Sequence, residues 1–518
     1  MTMPAVVQTL GAALPLVTIV LLMLVARWSA ARAGAVGLGV TLACAWGIFA
    51  YGREVYGDLG ILSAMAGAFA EALFTAGTIL WIIFPALCIH QLQIRTGAID
   101  VLQRALGRLS PDPRQAALLV AWFFALFLEG AAGFGTTIAL AAPMLVSLGF
   151  QPVVAVTMAL TGHVAGVAFG AVGTPILPQM AATGLSGLAL ARANGFYHSV
   201  LGWVLLGSMM MTVVRVRQGQ AGRRPSIWGW TLLAAALFLV PFFVLSRWVG
   251  PELPTLGGAL LGGAGFVVIL TLASRSRAAT SGTRRGRLPG QRWHLLRAAA
   301  PYLILVLLIL LTRLLAPIQR RLTDVVWEWV LFERFGGSFQ PLFHPGSLLF
   351  LGFLGGALWQ RASLSETRTA MHLAAGQLGA VTVALLSMLS LSRLMVHAGM
   401  IDSLAAAAAN TLREVWPVCA PAVGVLGTFV TGSATASNIL LSDFQQATAQ
   451  HLSLPVLPLI GAQGFGAAVG NMICPHNIIA GGATVGVSGH EGEILRRTLG
   501  VCALYTLLGG LIALWIVR

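Results

Sequence analysis

Almost the whole chain is taken up by apolar stretches long enough to cross a bilayer. About fourteen of them follow one another, near residues 10–26, 33–51, 66–92, 115–149, 153–178, 196–214, 228–247, 255–273, 298–315, 346–360, 373–397, 416–452, 456–478 and 496–517. A spanning helix needs about 20 residues, and in a water-free hydrocarbon core the backbone must satisfy its own hydrogen bonds. The chain therefore reads as an all-α polytopic membrane protein of about 12–14 transmembrane passes. Composition agrees: 57% of residues are hydrophobic, 9% are charged, and the mean hydropathy is +0.86, which excludes a soluble domain.

The formal charge of +15 comes entirely from arginine, because the sequence has no lysine. The arginines cluster in short gaps between apolar runs, the pattern of cytoplasmic loops and not of a nucleic-acid surface. By this count the gaps after residue 27 and at 95–114, 215–224 and 275–297 face the cytoplasm. The last of them, with its Ser, Thr, Gly and Pro, reads as a flexible linker over 274–297. The run 10–26 has no basic residue before it and no clear cleavage site after it, so it is read as a first transmembrane helix and not a removed signal peptide. Residues 318–344, with Trp327, Trp329, Phe332 and Phe335 beside Arg320, Arg321, Glu328 and Glu333, read as an amphipathic helix in the opposite interface. Cys44, Cys88, Cys419, Cys474 and Cys502 occur singly and read as packing residues, without a disulfide or metal framework.

One stretch does not fit a simple span. Residues 115–149 form a single apolar run interrupted by Glu129-Gly130-Ala131-Ala132-Gly133-Phe134-Gly135-Thr136-Thr137. The run is too long for one crossing and too short for two, so it reads as a re-entrant hairpin with the glycines at its tip. A carboxylate at membrane depth costs on the order of 3 kcal/mol or more, which makes Glu129 a functional candidate by default.

The pattern recurs. Residues 432–475 repeat the order of 129–178: a tip of small residues, an amphipathic run to a Pro-Val pair (Pro152-Val153, Pro455-Val456), then a second glycine break ending in proline (Pro178, Pro475). Four arginines precede the first copy, whereas the second is preceded by Arg413 against Asp402 and Glu414, so the copies are expected to enter from opposite faces. Interrupted segments at matching places in two halves point to a transport site near the repeat interface.

At the second tip Ser433, Thr435, Ser437 and Asn438 offer hydroxyls, an amide and half-helix N–H groups, a cradle for an anion. Small polar residues in membranes more often serve close helix packing, but the cluster, echoed at Thr136 and Thr137, favours a site. Glu129 and His163 are the candidates for proton coupling, against structural roles as a pin of the hairpin tip and a neutral hydrogen-bonding ring. Gly133, Phe134, Gly135, Thr136, Thr137, Arg393, Ser433, Thr435, Ser437, Asn438, Asn471 and His476 are the candidates for substrate binding, with snorkelling or pairing with Asp443 as the alternative for Arg393. An enzyme would need a nucleophile with its base or a metal cluster. The sequence has no His-Glu-x-x-His, no paired cysteines and no Gly-x-Ser-x-Gly, so neither catalysis, a metal nor a cofactor is expected. A channel would need a charged pore ring, which is also missing.

At these residues the sequence resembles the lactate permease family of bacterial inner-membrane secondary transporters. The run Glu129 to Gly135 is similar to that family's first motif, and Val167-Ala168-Phe169-Gly170-Ala171-Val172-Gly173-Thr174-Pro175-Ile176 to its second. Thr431-Gly432-Ser433 with Ser437-Asn438, and Met472-Ile473 with Pro475, are similar to the third and fourth. The resemblance implies proton symport of a small 2-hydroxy monocarboxylate such as lactate or glycolate. It also implies a fold of the ion-transporter superfamily, with inverted repeats and an elevator motion. The sequence departs from the family pattern at Thr136-Thr137, His163, Arg393, Asn471 and His476, so a dicarboxylate, a sulfonate or Na⁺ coupling stay open.

The expected organisation is 1–114 as N-terminal scaffold helices, 115–195 as the first hairpin and broken helix, and 196–397 as further scaffold. Residues 398–495 form the second hairpin and broken helix, and 496–518 a last transmembrane helix. The expected partners are a small organic anion, protons or Na⁺, and the lipid bilayer, with no nucleic acid. A homodimer is an assembly the sequence allows.

Overall fold

The structure, a computed structural model, describes all residues except 1–3, 27, 52–58, 108–111, 134–135, 218–225, 282–290 and 488–489. It is built of helices in two series of like order. The first series opens with α1 (Ala5–Leu24), α2 (Ala30–Gly47) and the long α3 (Gly60–Arg95), followed by the amphipathic α4 (Ala98–Gly107). A hairpin comes next. Its rising arm is α5 (Pro113–Ala117), a π-helical stretch (Leu118–Phe124) and α6 (Ala125–Ala131), and its returning arm is α7 (Thr136–Ser147). A broken helix follows as α8 (Pro152–Gly162), α9 (Val164–Val167), α10 (Gly170–Gly173) and α11 (Ile176–Thr183), and α12 (Gly187–Arg217) closes the series. The helices α13 (Trp228–Trp248) and α14 (Pro254–Ser281) stand between the two series.

The second series begins with α15 (Gln291–Leu314), the short α16 (Ala316–Thr323), a β-hairpin of β1 (Trp327–Leu331) and β2 (Phe335–Phe339), α17 (Pro345–Gln360) and the long α18 (Leu364–His397). It continues through the amphipathic α19 (Met400–Leu412) into a second hairpin, α20 (Trp416–Thr431) and α21 (Ala434–His451). A second broken helix, α22 (Val456–Gly470) with α23 (Pro475–Thr484), leads to α24 (Glu491–Val517).

Packing sorts these elements into two groups. In one, α3 runs along α18, α2 also packs on α18 and α17 on α3, while α1 lies on α2 and α15 on α17. The other group holds both hairpins, both broken helices, α12 and α24, with α14 laid against α6 and α13 against α12. The rising arm of the first hairpin and the broken helix after it are almost wholly buried within that group. A lipid-facing position would leave a break's open backbone groups unsatisfied.

Eleven helices among the described residues are long and apolar enough to span, or twelve with the bent pair in α18, against the 12–14 expected. One counted run, Met400–Thr431, is divided at Arg413 (φ 43°, ψ −124°) into α19 and α20. The stretch 346–360 lies on α17, whose 16 residues reach only about 24 Å.

Two expectations are corrected. Residues 318–344 are not one amphipathic helix: α16 stops at Thr323 and an antiparallel hairpin follows, with Trp327 opposite Phe339 and Leu331 opposite Phe335. The run from Val325 to Leu331 is rich in β-branched and aromatic residues, which favour a pleated strand. Phe332 and Glu333 close the turn at φ 53° and 58°, and Trp329 packs against Phe74 of α3. The linker is also shorter than 274–297, because α14 extends to Ser281 and α15 begins at Gln291, so what remains of it lies outside the described residues.

Candidate functional site

The first tip forms where α6 ends at Ala131 and Gly133 turns the chain at φ 58°. Phe134 and Gly135 lie outside the described residues, as does the side chain of Thr136. Glu129 sits one turn before the tip and is only 6% exposed. Thr137, at the start of the returning arm, donates to its Oε2 at 2.8 Å. Its other oxygen presses on the broken helix: a methyl group on Gly170 would lie 2.5 Å from Oε1. The break itself is left-handed over three residues, Ala171 (φ 43°, ψ 56°), Val172 (φ 56°, ψ 42°) and Gly173 (φ 83°). For Ala171 and Val172 that conformation costs roughly 1–2 kcal/mol each, strain of the kind that collects at functional sites.

The second tip is built differently. Gly432, at φ 77°, ends α20, and the Ser433 hydroxyl accepts from Ala436 N–H as the N-cap of α21. Beside it the second break runs from Asn471 to Cys474, and α23 starts at Pro475. Its polar groups are neutral amides. Asn477 donates to Asn471 Oδ1 at 2.7 Å and to the Asn471 carbonyl at 3.2 Å.

The halves are tied crosswise. His163, at the end of α8, places Nε2 2.9 Å from Asn471 Oδ1 and Nδ1 2.7 Å from the Ala159 carbonyl. Asn438, on the second hairpin, donates to the Pro175 carbonyl beyond the first break at 2.8 Å. Ser437 donates to the Gly424 carbonyl at 2.9 Å and pins the arms of its own hairpin together.

Both tips and both breaks open on one cavity of about 1220 Å³. One wall is α18, through Val381, Ala384, Leu385 and Met388, and the lining also includes the exposed Trp28 and Ser29 between α1 and α2 and Glu491 at the start of α24. The volume exceeds the roughly 300–1,000 Å³ of an ordinary small-ligand pocket, so the cavity is a vestibule leading to the tips. Of the residues expected from sequence, Glu129, Gly133, Ser433, Thr435, Asn471 and His476 line it, His476 with an exposed side chain. Thr137, His163, Ser437 and Asn438 stand one layer behind, holding those residues and the tips in place. Arg393 does not reach the cavity. Its guanidinium faces Asp443 on α21 at 3.7 Å, the carboxylate packed opposite it pairing with a buried cation on α18.

Thr174 and Asn477 also line the cavity and were not singled out in the sequence. Thr174 follows the left-handed turn and donates to the Ala171 carbonyl at 2.6 Å; its signal was its place between Gly173 and Pro175. No arginine lines the cavity among the described residues, and no group of three potential metal ligands occurs among them. An anion entering here meets hydroxyls, amides, helix starts and His476, with the carboxyls of Glu129 and Glu491 also on the lining.

A family model described as L-lactate permease matches residues 8–338 and 335–518. The chain belongs to the L-lactate permease family. It is 26% identical to the L-lactate permease of Escherichia coli strain K12, over 87% of either chain. The L-lactate permease of Streptococcus iniae is 29% identical, over 86% of this chain and 92% of its own. The glycolate permease of Escherichia coli strain K12 is 28% identical, over 98% of this chain and 95% of its own. With its apolar spans, this makes the permease a multi-pass protein of the bacterial inner membrane, and a transporter in class.

Within the permease the motifs that carry the resemblance fall on the tips and breaks. The first motif holds Glu129 and Gly133, the second the left-handed turn, and the third and fourth the second tip and break.

Proposed function

We propose that this permease imports a small 2-hydroxy monocarboxylate, lactate or glycolate, in symport with protons. The observation that carries this reading is the buried Glu129 carboxylate at the point where the first tip and first break meet the cavity. The substrate class rests on the names of the relatives, which include permeases for L-lactate and for glycolate.

In this reading the substrate carboxylate binds at the second tip and break. The N-terminal ends of α21 and α23 face the cavity there, with Ser433, Thr435, Asn471 and His476 around them. Helix starts present N–H groups and a positive dipole end to an anion. Glu129 then sets the coupling. Two negative charges about 5 Å apart at an effective dielectric constant of 20 repel by roughly 3 kcal/mol, about two orders of magnitude in affinity. An anion is admitted when Glu129 carries a proton, and the two cross together as a neutral set. Thr137 holds the carboxyl, and His163 positions Asn471 from behind. The two hairpins and broken helices move as a core against α3 and α18 in an elevator motion.

The test is uptake of labelled L-lactate and glycolate into proteoliposomes with an inward proton gradient and no sodium. Accumulation above the equilibrium level is expected. Accumulation that requires sodium would replace the proton in this reading. If neither acid is taken up by folded protein while another organic anion is, the substrate class is wrong.

A further inference from the structure

Two buried ion pairs lie away from the cavity and have no part in the reading above. Arg313, near the end of α15, sets Nη2 2.6 Å from Glu252 Oε1 in the turn between α13 and α14. The same nitrogen donates to the Phe343 carbonyl at 3.1 Å, and the guanidinium carbon stands 3.5 Å from the centre of the Phe343 ring. On α18, Arg393 Nη2 lies 3.7 Å from Asp443 Oδ2, which also accepts from Ser392 Oγ at 3.1 Å. Each of the four ionic side chains is at most 16% exposed.

Each pair joins the two packing groups. Arg313 and Arg393 stand on the α3–α18 group, and Glu252 and Asp443 on the group of the hairpins. The Glu71–His397 pair, at 2.8 Å, joins α3 to α18 within one group, and both side chains lie near enough to Asp443 to act on its charge. Both bridges are also incompletely satisfied: Nε of Arg313, Nε of Arg393 and Oε2 of Glu252 have no hydrogen-bond partner among the described residues. A buried pair with open valences persists while water is kept out and is readily exchanged for hydration when water enters.

The arginine gaps place both pairs on one side. α15 follows the gap at 275–297 and runs about 36 Å, so Arg313, near its end, lies toward the other face. α13 follows the gap at 215–224 and ends just before Glu252. α18 begins between Arg361 and Arg368, and Arg393 is near its far end. On the opposite side the cavity lining reaches helix ends, at the exposed Trp28 and Ser29 and at Glu491, next to Arg32 and to Arg496 and Arg497.

Both carboxylates are also connected to the site. The turn that carries Glu252 touches the first break, since a methyl group on Gly173 would lie 2.6 Å from the Pro251 carbonyl. Asp443 is on the same helix as Ser433's cap and Asn438.

We propose that Arg313–Glu252 and Arg393–Asp443 are two interlocks that hold the outer half of the protein shut while the cavity is open to the cytoplasm. This rests on the transport reading above. The cavity reaches the outer face when both pairs separate, and they re-form when the core returns.

Access is read on Ala384→Cys, a position on α18 that lines the cavity. The probe is a membrane-impermeant maleimide applied to right-side-out and inside-out vesicles, with the parent's own cysteines as background. The parent is expected to label from the cytoplasmic side. Glu252→Gln with Asp443→Asn should raise labelling from the outside at least ten-fold, and Glu493→Gln, which opens an exposed pair within α24, should leave it unchanged. Outside labelling of the parent, or a double variant that is folded by its melting temperature and labels as the parent does, overturns the proposal.

A second experiment serves where that variant does not fold. Cross-linking Arg313→Cys to Glu252→Cys with a bifunctional maleimide should stop exchange of labelled substrate, and exchange by fully cross-linked protein overturns the interlock. The labelling assay needs no substrate. A shift in sidedness without uptake of either acid would sink the substrate reading and support the interlocks; uptake with unchanged sidedness would sink the interlocks alone.

Discussion

The two tips stand in equivalent places on the two series, yet they are made of different chemistry. The first carries a buried carboxyl, held by one hydroxyl and pressed against a left-handed break in which two residues are not glycine. The second carries no charge; it is a serine-capped helix start beside a break filled with amides. A pair of hairpins that only closed a cavity could be alike. In the proposed reading their difference divides the work, with proton exchange assigned to the strained, tightly packed site and anion binding to the open, neutral donors.

The comparison breaks first at Glu129. Glu129→Gln, measured as gradient-driven uptake into proteoliposomes, should abolish accumulation above the equilibrium level while substrate exchange persists, because no coupling proton is then carried. If accumulation is full, the first tip does not carry the proton. Next in size is Gly170→Ala, whose methyl group would meet the Glu129 carboxyl at 2.5 Å. Overpacking of this kind costs about 1–3 kcal/mol, so a lower melting temperature and roughly ten-fold slower uptake are expected. The same change at an open glycine such as Gly207, where no atom lies within 4 Å, should leave both unaltered.

The second tip should respond in KM and not in coupling. Ser433→Ala removes the cap of α21, worth about 1 kcal/mol, and should raise KM about five-fold with the accumulation ratio at saturation preserved. A lost accumulation ratio would mean that the tips share the coupling. The smallest effect is at Ala171. Ala171→Gly relieves a left-handed alanine and should raise the melting temperature by about 1–2 °C, from a gain of about 0.5 kcal/mol. A fall would show that the alanine's packing outweighs its backbone strain.

Much of this was legible in the chain itself. The period and length of the apolar runs dictate helices, because a bilayer accepts no other use of about 20 consecutive apolar residues. The glycine tips and the Pro-Val pairs mark the hairpins and broken helices, since a membrane helix unwinds where glycine lets it. Glu129 announces itself by the cost of burying a carboxylate. The β-hairpin at 327–339 was not legible in that way, because short aromatic runs fit a strand or an interfacial helix equally well until Trp329 finds Phe74.

What only the tertiary structure decided is who faces whom. The left-handed turn falls on Ala171 and Val172 as well as on the glycine after them, because the fold over-determines that backbone from both sides. In sequence Arg393 reads as an anion ligand, a snorkelling cation or a partner of Asp443, and only the fold brings Asp443, fifty residues on, to 3.7 Å from it. His163 and Asn471 are more than three hundred residues apart and share one hydrogen bond. The sequence specifies how costly each buried polar group is. Which partner meets that cost is settled by packing, since a hydrogen bond or ion pair acts over a few ångströms and the chain alone carries no such distances.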